Sequence, residues 1–480
     1  MTYVLTPAMC WCQYFYKTYP EATGSTFYSI INFKNRIFTS QVKVCENWDC
    51  SNISEFNTNG VSIWKTELIN SDVGSSTLLI INDTLYSGGN YYPGQAKSVI
   101  NRMTLDGKII DEHIYSDPLK RISGSLVNFL NYNNKIIFFS GLGYVNEKGR
   151  ALIYAIDKSM VLKKCHVDTI NDNSSTWDTY VGSDSLLTSF IMEAGFAAPR
   201  DRRRIEKYDK DLNLVWKYQP PDSLLWLGNR IYLHGTVLDN GNIFFTYYTF
   251  GNERSLPSLL LLDTITKKTI WQYDFPNIDN YGRYVLKTKQ LKNGDLLISG
   301  YYSNITQQPT IKDSPWLMRI DKNGKKIWEH TYVEILPNNQ SKAGALWDAI
   351  ELDNGDIIAC GFVSNNNKWD PLLIRTDADG CIDRGQANCP QVQIIDLMSG
   401  AVDVIGEDVV TISPNPASTY IMINTPLQSL YEIYSIHGQS ILKGVVSSDE
   451  IDVSNLRSGM YLVKITDTKG RVIVRKLIKE

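Results

Sequence analysis

The chain predicts an all-β protein: a repeated four-stranded antiparallel unit followed by a small sandwich of short strands. Three observations predict it. Hairpin-like segments recur at a spacing of about 50 residues, the mark of a repeat architecture. Tyr (28) and Trp (11) are plentiful, and both favour strands. Near residue 412 a proline-marked start, ISPNPASTYIMINTP, opens a separate pattern of short alternating strands.

The hairpins run in order along the chain. They are STFYSIINFKNRIFTS (25–40), SSTLLIINDTLYSGG (75–89), SLVNFLNYNNKIIFFSG (125–141), TWDTYVGSDSLLTSF (176–190), RIYLHGTVLDNGNIFFTYY (230–248), GRYVLKTKQLKNGDLLISGYY (282–302) and GALWDAIELDNGDIIACGF (344–362). NDT, NNK, DNGN, KNGD and DNGD suit tight turns, which need residues that tolerate positive φ. A third strand, an Asp-headed turn and a fourth strand follow, as in RIEKYDKDLNLVWKYQP (204–220), LLLLDTITKKTIWQYDF (259–275) and WLMRIDKNGKKIWEHTY (316–332). Trp64, Trp216, Trp271 and Trp328 recur at one position of the fourth strand, where packing between neighbouring units explains them. The units, from about 24 to 383, read as a seven-bladed β-propeller with four-stranded antiparallel blades.

The seventh unit stops short. After LLIRTDADG (372–380) no fourth strand follows, whereas CQYFYKTYPEATGSTFY (12–28) carries the alternation of one. Residues near Gln13–Tyr19 are therefore expected to complete the last blade and remove an exposed edge. The expected domains are a propeller over 1–389, a linker over 390–408 and a terminal domain over 409–480.

The terminal segment reads VVTISPNPASTYIMINTP, LYEIYSIHGQSILKGVV and IDVSNLRSGMYLVKITDTKGRVIVRKLIKE in its three parts. Pro414 and Pro416 fix φ and block helix entry, and HGQS, SSD, RSGM and TKGR supply turns, which suits a small Ig-like β-sandwich. The order Pro414-Asn415-Pro416, Tyr434 and Gly438, Leu456, Gly459, Tyr461–Lys464 and the basic-apolar end through Lys476 and Lys479 resembles the type A C-terminal sorting domain of the type IX secretion system of Gram-negative bacteria. That resemblance implies partnership with the secretion machinery and passage through the periplasm. It also implies removal of the tail, with release of the propeller or its attachment to the outer surface. The alternative is an accessory sandwich that binds something. The start, MTYVLTPAMCWCQYFYK, has neither the basic region nor the apolar core of an export leader, which reads as a truncated or misassigned N-terminus.

Eight cysteines form no CxxC pair of a zinc site. CENWDC and CIDRGQANC instead outline two small loops, and export makes disulfides Cys45–Cys50 and Cys381–Cys389 the expectation over reduced thiols. Spacing leaves Cys10, Cys12, Cys165 and Cys360 unassigned. Lys plus Arg number 48 against 51 acidic residues, so net charge (−3) argues against nucleic acid or an anionic membrane as partner. No apolar run reaches the length of a membrane helix, and a monomer is expected.

Chemistry is thinly signposted. His234 falls on the innermost strand of the fifth unit, facing the central channel, with Lys287 and Asp348 at equivalent points of the next two units and Trp177 or Asp178 in the fourth. Arylsulfotransferase-like propellers use a channel histidine as nucleophile; the alternative is a hydrogen-bonded channel lining. The Asp-turn-Trp repeats resemble quinoprotein-like propellers at scaffold positions only, without a vicinal-cysteine site or calcium ligands, so no cofactor and no metal are expected. Neither GxSxG, GxxxxGK[ST] nor GxGxxG occurs, and DKNGKK and DADGC lack the spacing and terminal Glu of an EF-hand. Two classes stand: a secreted module binding an extracellular glycan or protein, and an extracellular transferase, hydrolase or lyase working around His234.

Overall fold

The computed structural model describes residues 14–21, 23–44, 49–68, 71–72, 78–91, 97–115, 122–132, 136–145, 148–168, 174–193, 204–220, 234–251, 254–275, 281–304, 313–334, 341–365, 368–382, 392–396, 401–404, 412–423, 428–435, 440–446, 450–466 and 472–480. The chain divides into two compact units, one of residues 1–331 and 336–389, the other of 332–335 and 390–480.

The first unit is built from antiparallel sheets, mostly up-and-down meanders in chain order. Sheet A holds Ser25–Phe33, Arg36–Val44, Asp49–Asn57 and Ser62–Leu68. Sheet B holds Leu79–Ile81, Thr84–Tyr91, Lys97–Thr104 and Ile109–Tyr115, with the two-residue strand Ser71–Asp72 added beside Thr84–Tyr91. Sheet C holds Ile122–Tyr132, Ile136–Val145, Lys148–Asp157 and Leu162–Val167. Sheet D holds Ser174–Val181, Leu187–Glu193, Arg204–Tyr208 and Leu214–Tyr218. Sheet E holds His234–Val237, Ile243–Gly251, Arg254–Leu262 and Thr269–Asp274. Sheet F runs through Tyr281–Gln290, Leu296–Asn304, Ser314–Ile320 and Lys326–Glu334. Sheet G takes Gly344–Glu351, Ile357–Asn365 and Lys368–Thr376 from the late chain and Phe15–Thr18 from its start, with Phe15 opposite Arg375 and Thr18 opposite Leu372.

Alternation explains how the sheets stack. Successive residues of a strand point to opposite faces, and here both faces are covered. Phe244 packs towards sheet F while Phe245 packs towards sheet D; Leu259 and Leu261 follow the first, Leu260 and Leu262 the second. This is why the third strand of sheet E ends in LLLL (259–262), with no polar position there. Sheet A likewise sends Phe38 into a core with Leu85 of sheet B, and Ile37 into a core with Ile358 and Leu373 of sheet G. The succession of sheets thus returns to its beginning.

Side chains of the outer strands tie each sheet to the next. Asp157, Asp209, Asp321 and Asp377 each accept backbone N–H groups of their own turn, which accounts for the Asp-headed repeats as tight turns. Onto a turn of the following sheet docks the tryptophan of the preceding one. Trp64 Nε1 donates to Leu105 O at 3.1 Å, Trp216 to Thr264 O at 2.9 Å, Trp271 to Lys322 O at 2.9 Å and Trp328 to Ala378 O at 3.1 Å. Gly324 lies under the Trp271 ring, where an added Cβ would come within 2.6 Å. From sheet G to sheet A the tryptophan is replaced: Phe15 covers Gly60, and Tyr19 Oη donates to Gly60 O at 2.7 Å.

The second unit contains two antiparallel sheets, Ile412–Ser413 with Tyr420–Ile423 and Glu450–Asp452, and Ser440–Val445 with Leu430–Ser435, Gly459–Thr466 and Val472–Lys479. They enclose one core that includes Ile421, Ile433, Ile451, Tyr461, Val463, Ile465 and Leu477. The segment 390–408, expected as linker, is not irregular throughout: Val392–Asp396 and Ala401–Val404 pair as a hairpin. This hairpin matches no repeat of the chain, so the period that marks the other strands does not mark it.

Candidate functional site

The innermost strands of sheets A, C, D, F and G share a β-bulge, with Tyr28, Val127, Trp177, Leu286 and Trp347 as the extra residue. A bulge bends its strand and re-aims the residue that follows. In sheet G it brings the backbone so close that a Cβ on Gly361 would stand 1.8 Å from Ala345 O. Beyond the bulge come Asp178, Lys287 and Asp348, and at the matching place of sheet E comes His234. Each stands four residues before the opening residue of the next turn: Gly182, Leu291, Leu352 and Leu238. The alternative left open by sequence, Trp177 or Asp178, resolves to Asp178.

Three of these four side chains meet. Asp178 accepts from Lys287 Nζ on Oδ1 at 2.6 Å, and its Oδ2 lies 3.0 Å from His234 Nδ1. The Gly235 N–H adds a longer contact to Oδ2 at 3.4 Å. Asp348 does not join His234. Its Oδ1 pairs with Lys289 Nζ at 2.6 Å, and its Oδ2 accepts the Ile30 N–H of sheet A at 3.1 Å. Sequence reasoning missed Lys289, and also Tyr180, over whose ring Lys287 Nζ stands at 5.8 Å. The period-2 rule held the signal: each lies two residues beyond a member already found, on the same face of its strand.

Burial sorts the charges. The side chains of Asp178 and Asp348 are 2% and 3% exposed, His234 8%, Lys287 18% and Lys289 27%. Burial opposes ionisation of Asp178, but Lys287 and His234 outweigh it and hold its carboxyl below the usual range. Burial also opposes the charge on Lys287, yet Asp178, Tyr180 and Asp348 together raise its pKa. Burial and then the Asp178 charge push the Tyr180 phenol up, so it stays neutral. An ionised Asp178 suits the tautomer that carries its proton on Nδ1, in which the lone pair of a neutral imidazole lies on Nε2. Such an arrangement can orient a base or a nucleophile, and it can also bind.

Cys50 lies in the strand Asp49–Asn57 and Cys381 is buried just after the Asp377 turn, whereas Cys45 and Cys389 lie outside the described residues. Cys360 is a fully buried thiol whose pKa burial raises. No group of His, Cys, Asp or Glu among the described residues is arranged to hold a metal ion.

In the terminal unit Asn415 stands between two prolines that have no N–H to give. Its Nδ2 donates to Lys476 O at 2.8 Å and its Oδ1 accepts from Ile478 N at 2.8 Å, so the side chain does the ladder's work on the last strand. Tyr461 is buried in the core with its hydroxyl on Arg457 O at 2.7 Å; Gly459 opens its strand, and Lys479 is 7% exposed.

Comparison with known proteins adds the following. Residues 411–480 match the family described as secretion system C-terminal sorting domain. No curated protein matches the chain. Among solved structures it is similar to the polysaccharide lyase Uly1 (11% identity, 75% of this chain, 92% of that one, TM-score 0.48). It is also similar to the β-propeller domain of the Trilobed protease from Pyrococcus furiosus (12%, 75% and 97%, 0.43). A third similarity is to PorZ, a surface component of the type IX secretion system of Porphyromonas gingivalis (9%, 97% and 100%, 0.21). The tail is a C-terminal sorting domain, and the chain it ends is a protein secreted by the type IX system. No helix among the described residues is long and apolar enough to cross a membrane.

Proposed function

We propose that this protein works at the outer surface or outside a Gram-negative cell, as a closed, seven-bladed, quinoprotein-like β-propeller that binds an extracellular glycan or protein. The propeller spans 1–389, 390–408 joins it to the tail, and 409–480 forms an Ig-like sandwich that the secretion machinery reads. The observation that carries the reading is the sorting domain over 411–480. Within the tail, Pro414, Asn415, Pro416, Gly459, Tyr461, Lys476 and Lys479 are the recognition positions; support comes from Asn415, whose side chain fastens the proline segment to the last strand. In a host with the type IX machinery, deleting 409–480 should hold the protein in the periplasm, and fusing that segment to another periplasmic protein should export it. Surface display of the truncated protein would return the tail to an accessory binding role.

Disulfides Cys45–Cys50 and Cys381–Cys389 belong to the same proposal, because the destination is oxidising. Peptide mapping of the non-reduced secreted protein should recover both linked pairs.

A second reading, an extracellular enzyme, is favoured by one observation: His234 Nδ1 sits 3.0 Å from a charged, buried Asp178. In that reading His234 acts through Nε2, Asp178 orients it and Lys287 holds Asp178 ionised, while Asp348 supports the neighbouring Lys289. Screening the secreted protein against glycan and sulfate-ester substrates, with His234→Ala beside it, tests this. An activity that survives the substitution would remove His234 from the chemistry.

A further inference from the structure

The exposures around Asp178 run in one direction. Each carboxylate is sealed at 2–3%, while the side chain of the lysine paired with it is more exposed, at 18% for Lys287 and 27% for Lys289. Both lysines project from one face of Tyr281–Gln290, two positions apart past the bulge at Leu286. They lie between His234 of sheet E and Asp348 of sheet G. An ammonium has three N–H donors. Lys287 commits one to Asp178 and stands against Tyr180, and Lys289 commits one to Asp348, which leaves donors on both for something beyond the protein. The lysine side chains are thus more accessible than the carboxylates they pair with.

We infer that Lys287 and Lys289 form an oxyanion subsite on the inner wall of the ring, which takes a carboxylate or sulfate group borne by a saccharide. This deepens the binding-module reading and rests on it. Charge-assisted bonds from lysine suit a compact oxyanion. The carboxylates behind hold each ammonium in position, so little side-chain entropy is lost on binding. A saccharide fits better than an acidic protein surface, because the wall is formed by innermost strands that a slim chain reaches more readily than a folded partner does.

The test uses the full-length protein and measures binding to dextran sulfate, polygalacturonate, neutral dextran and polyglutamate. The expected result is binding to one or both acidic polysaccharides, weakening as salt rises, with neutral dextran unbound; which of the two binds identifies sulfate or carboxylate. Lys289→Gln should weaken binding at least tenfold, about 1.4 kcal/mol. It should also fold, because Asp348 keeps the Ile30 and Ala349 N–H groups at 3.1 and 2.9 Å. The paired variant Asp178→Asn/Lys287→Gln avoids stranding a buried charge and should weaken binding likewise. Lys34→Gln and Lys292→Gln, on lysines 69% and 57% exposed in turns, should leave affinity within twofold. Equal losses in those controls, no binding to either acidic polysaccharide, or polyglutamate bound as well as the acidic polysaccharides would overturn the subsite. Retention on neutral glycans or on proteins with the acidic polymers ignored would sink the subsite and leave the binding module standing.

Discussion

Asp178 is sealed from water and still ionised, because Lys287 and His234 supply what solvent would have given. The signs of the two shifts define a pH window. A depressed carboxyl stabilises the fold above its unfolded pKa of about 4 and loses that contribution as pH falls through its folded value. A raised lysine stabilises below its unfolded pKa of about 10 and loses that contribution as pH rises through its folded value. Urea unfolding of the wild type and of Asp178→Asn/Lys287→Gln should therefore show a stability difference that shrinks as pH falls below about 4. Glycines offer a second contrast at this scale. Gly355 (φ +84) has open space where an added methyl would sit, so Gly355→Ala should cost only the left-handed backbone penalty, about 1–2 kcal/mol. Gly361→Ala drives a methyl to 1.8 Å from Ala345 O, and should prevent the bulge in sheet G and lower the melting temperature much further.

At the scale of elements, the repeated tryptophan is a clasp between one sheet and a turn of the next. Trp271→Phe keeps most of the apolar cover but deletes the bond to Lys322 O, and thermal unfolding should report a loss of about 1 kcal/mol. Trp271→Ala should cost more than Trp271→Phe, because the packing goes too. Much of this architecture is legible in the sequence: Asn, Asp and Gly at fixed offsets mark the turns, and Trp64, Trp216, Trp271 and Trp328 mark the fourth strands. The bulges are not, since one extra residue leaves no compositional trace and shows only as a shift of register. That is why Trp177 and Asp178 cannot be told apart by spacing. Lys289 and Tyr180 escape for a different reason: repeats align equivalent points of different units, whereas these residues join the site along a single strand. The pairing of Asp348 with Lys289 depends on which way two strands turn their faces, which no linear spacing reveals.

At the scale of the molecule, the edge of the strand Lys368–Thr376 is closed by the strand Phe15–Thr18. Deleting residues 1–19 should expose that edge and remove Phe15 and Tyr19 from Gly60, so size-exclusion chromatography should show self-association and the melting temperature should fall. Deleting 409–480 removes a separate core and should leave the thermal transition of the ring in place. The closing strand also ties distant parts of the chain together. Tyr14, next to it, bonds to Asp356 across 342 positions of chain, so this edge is sealed by residues far apart in sequence. Closing that edge is thus a contact of very high sequence separation, the kind that slows folding.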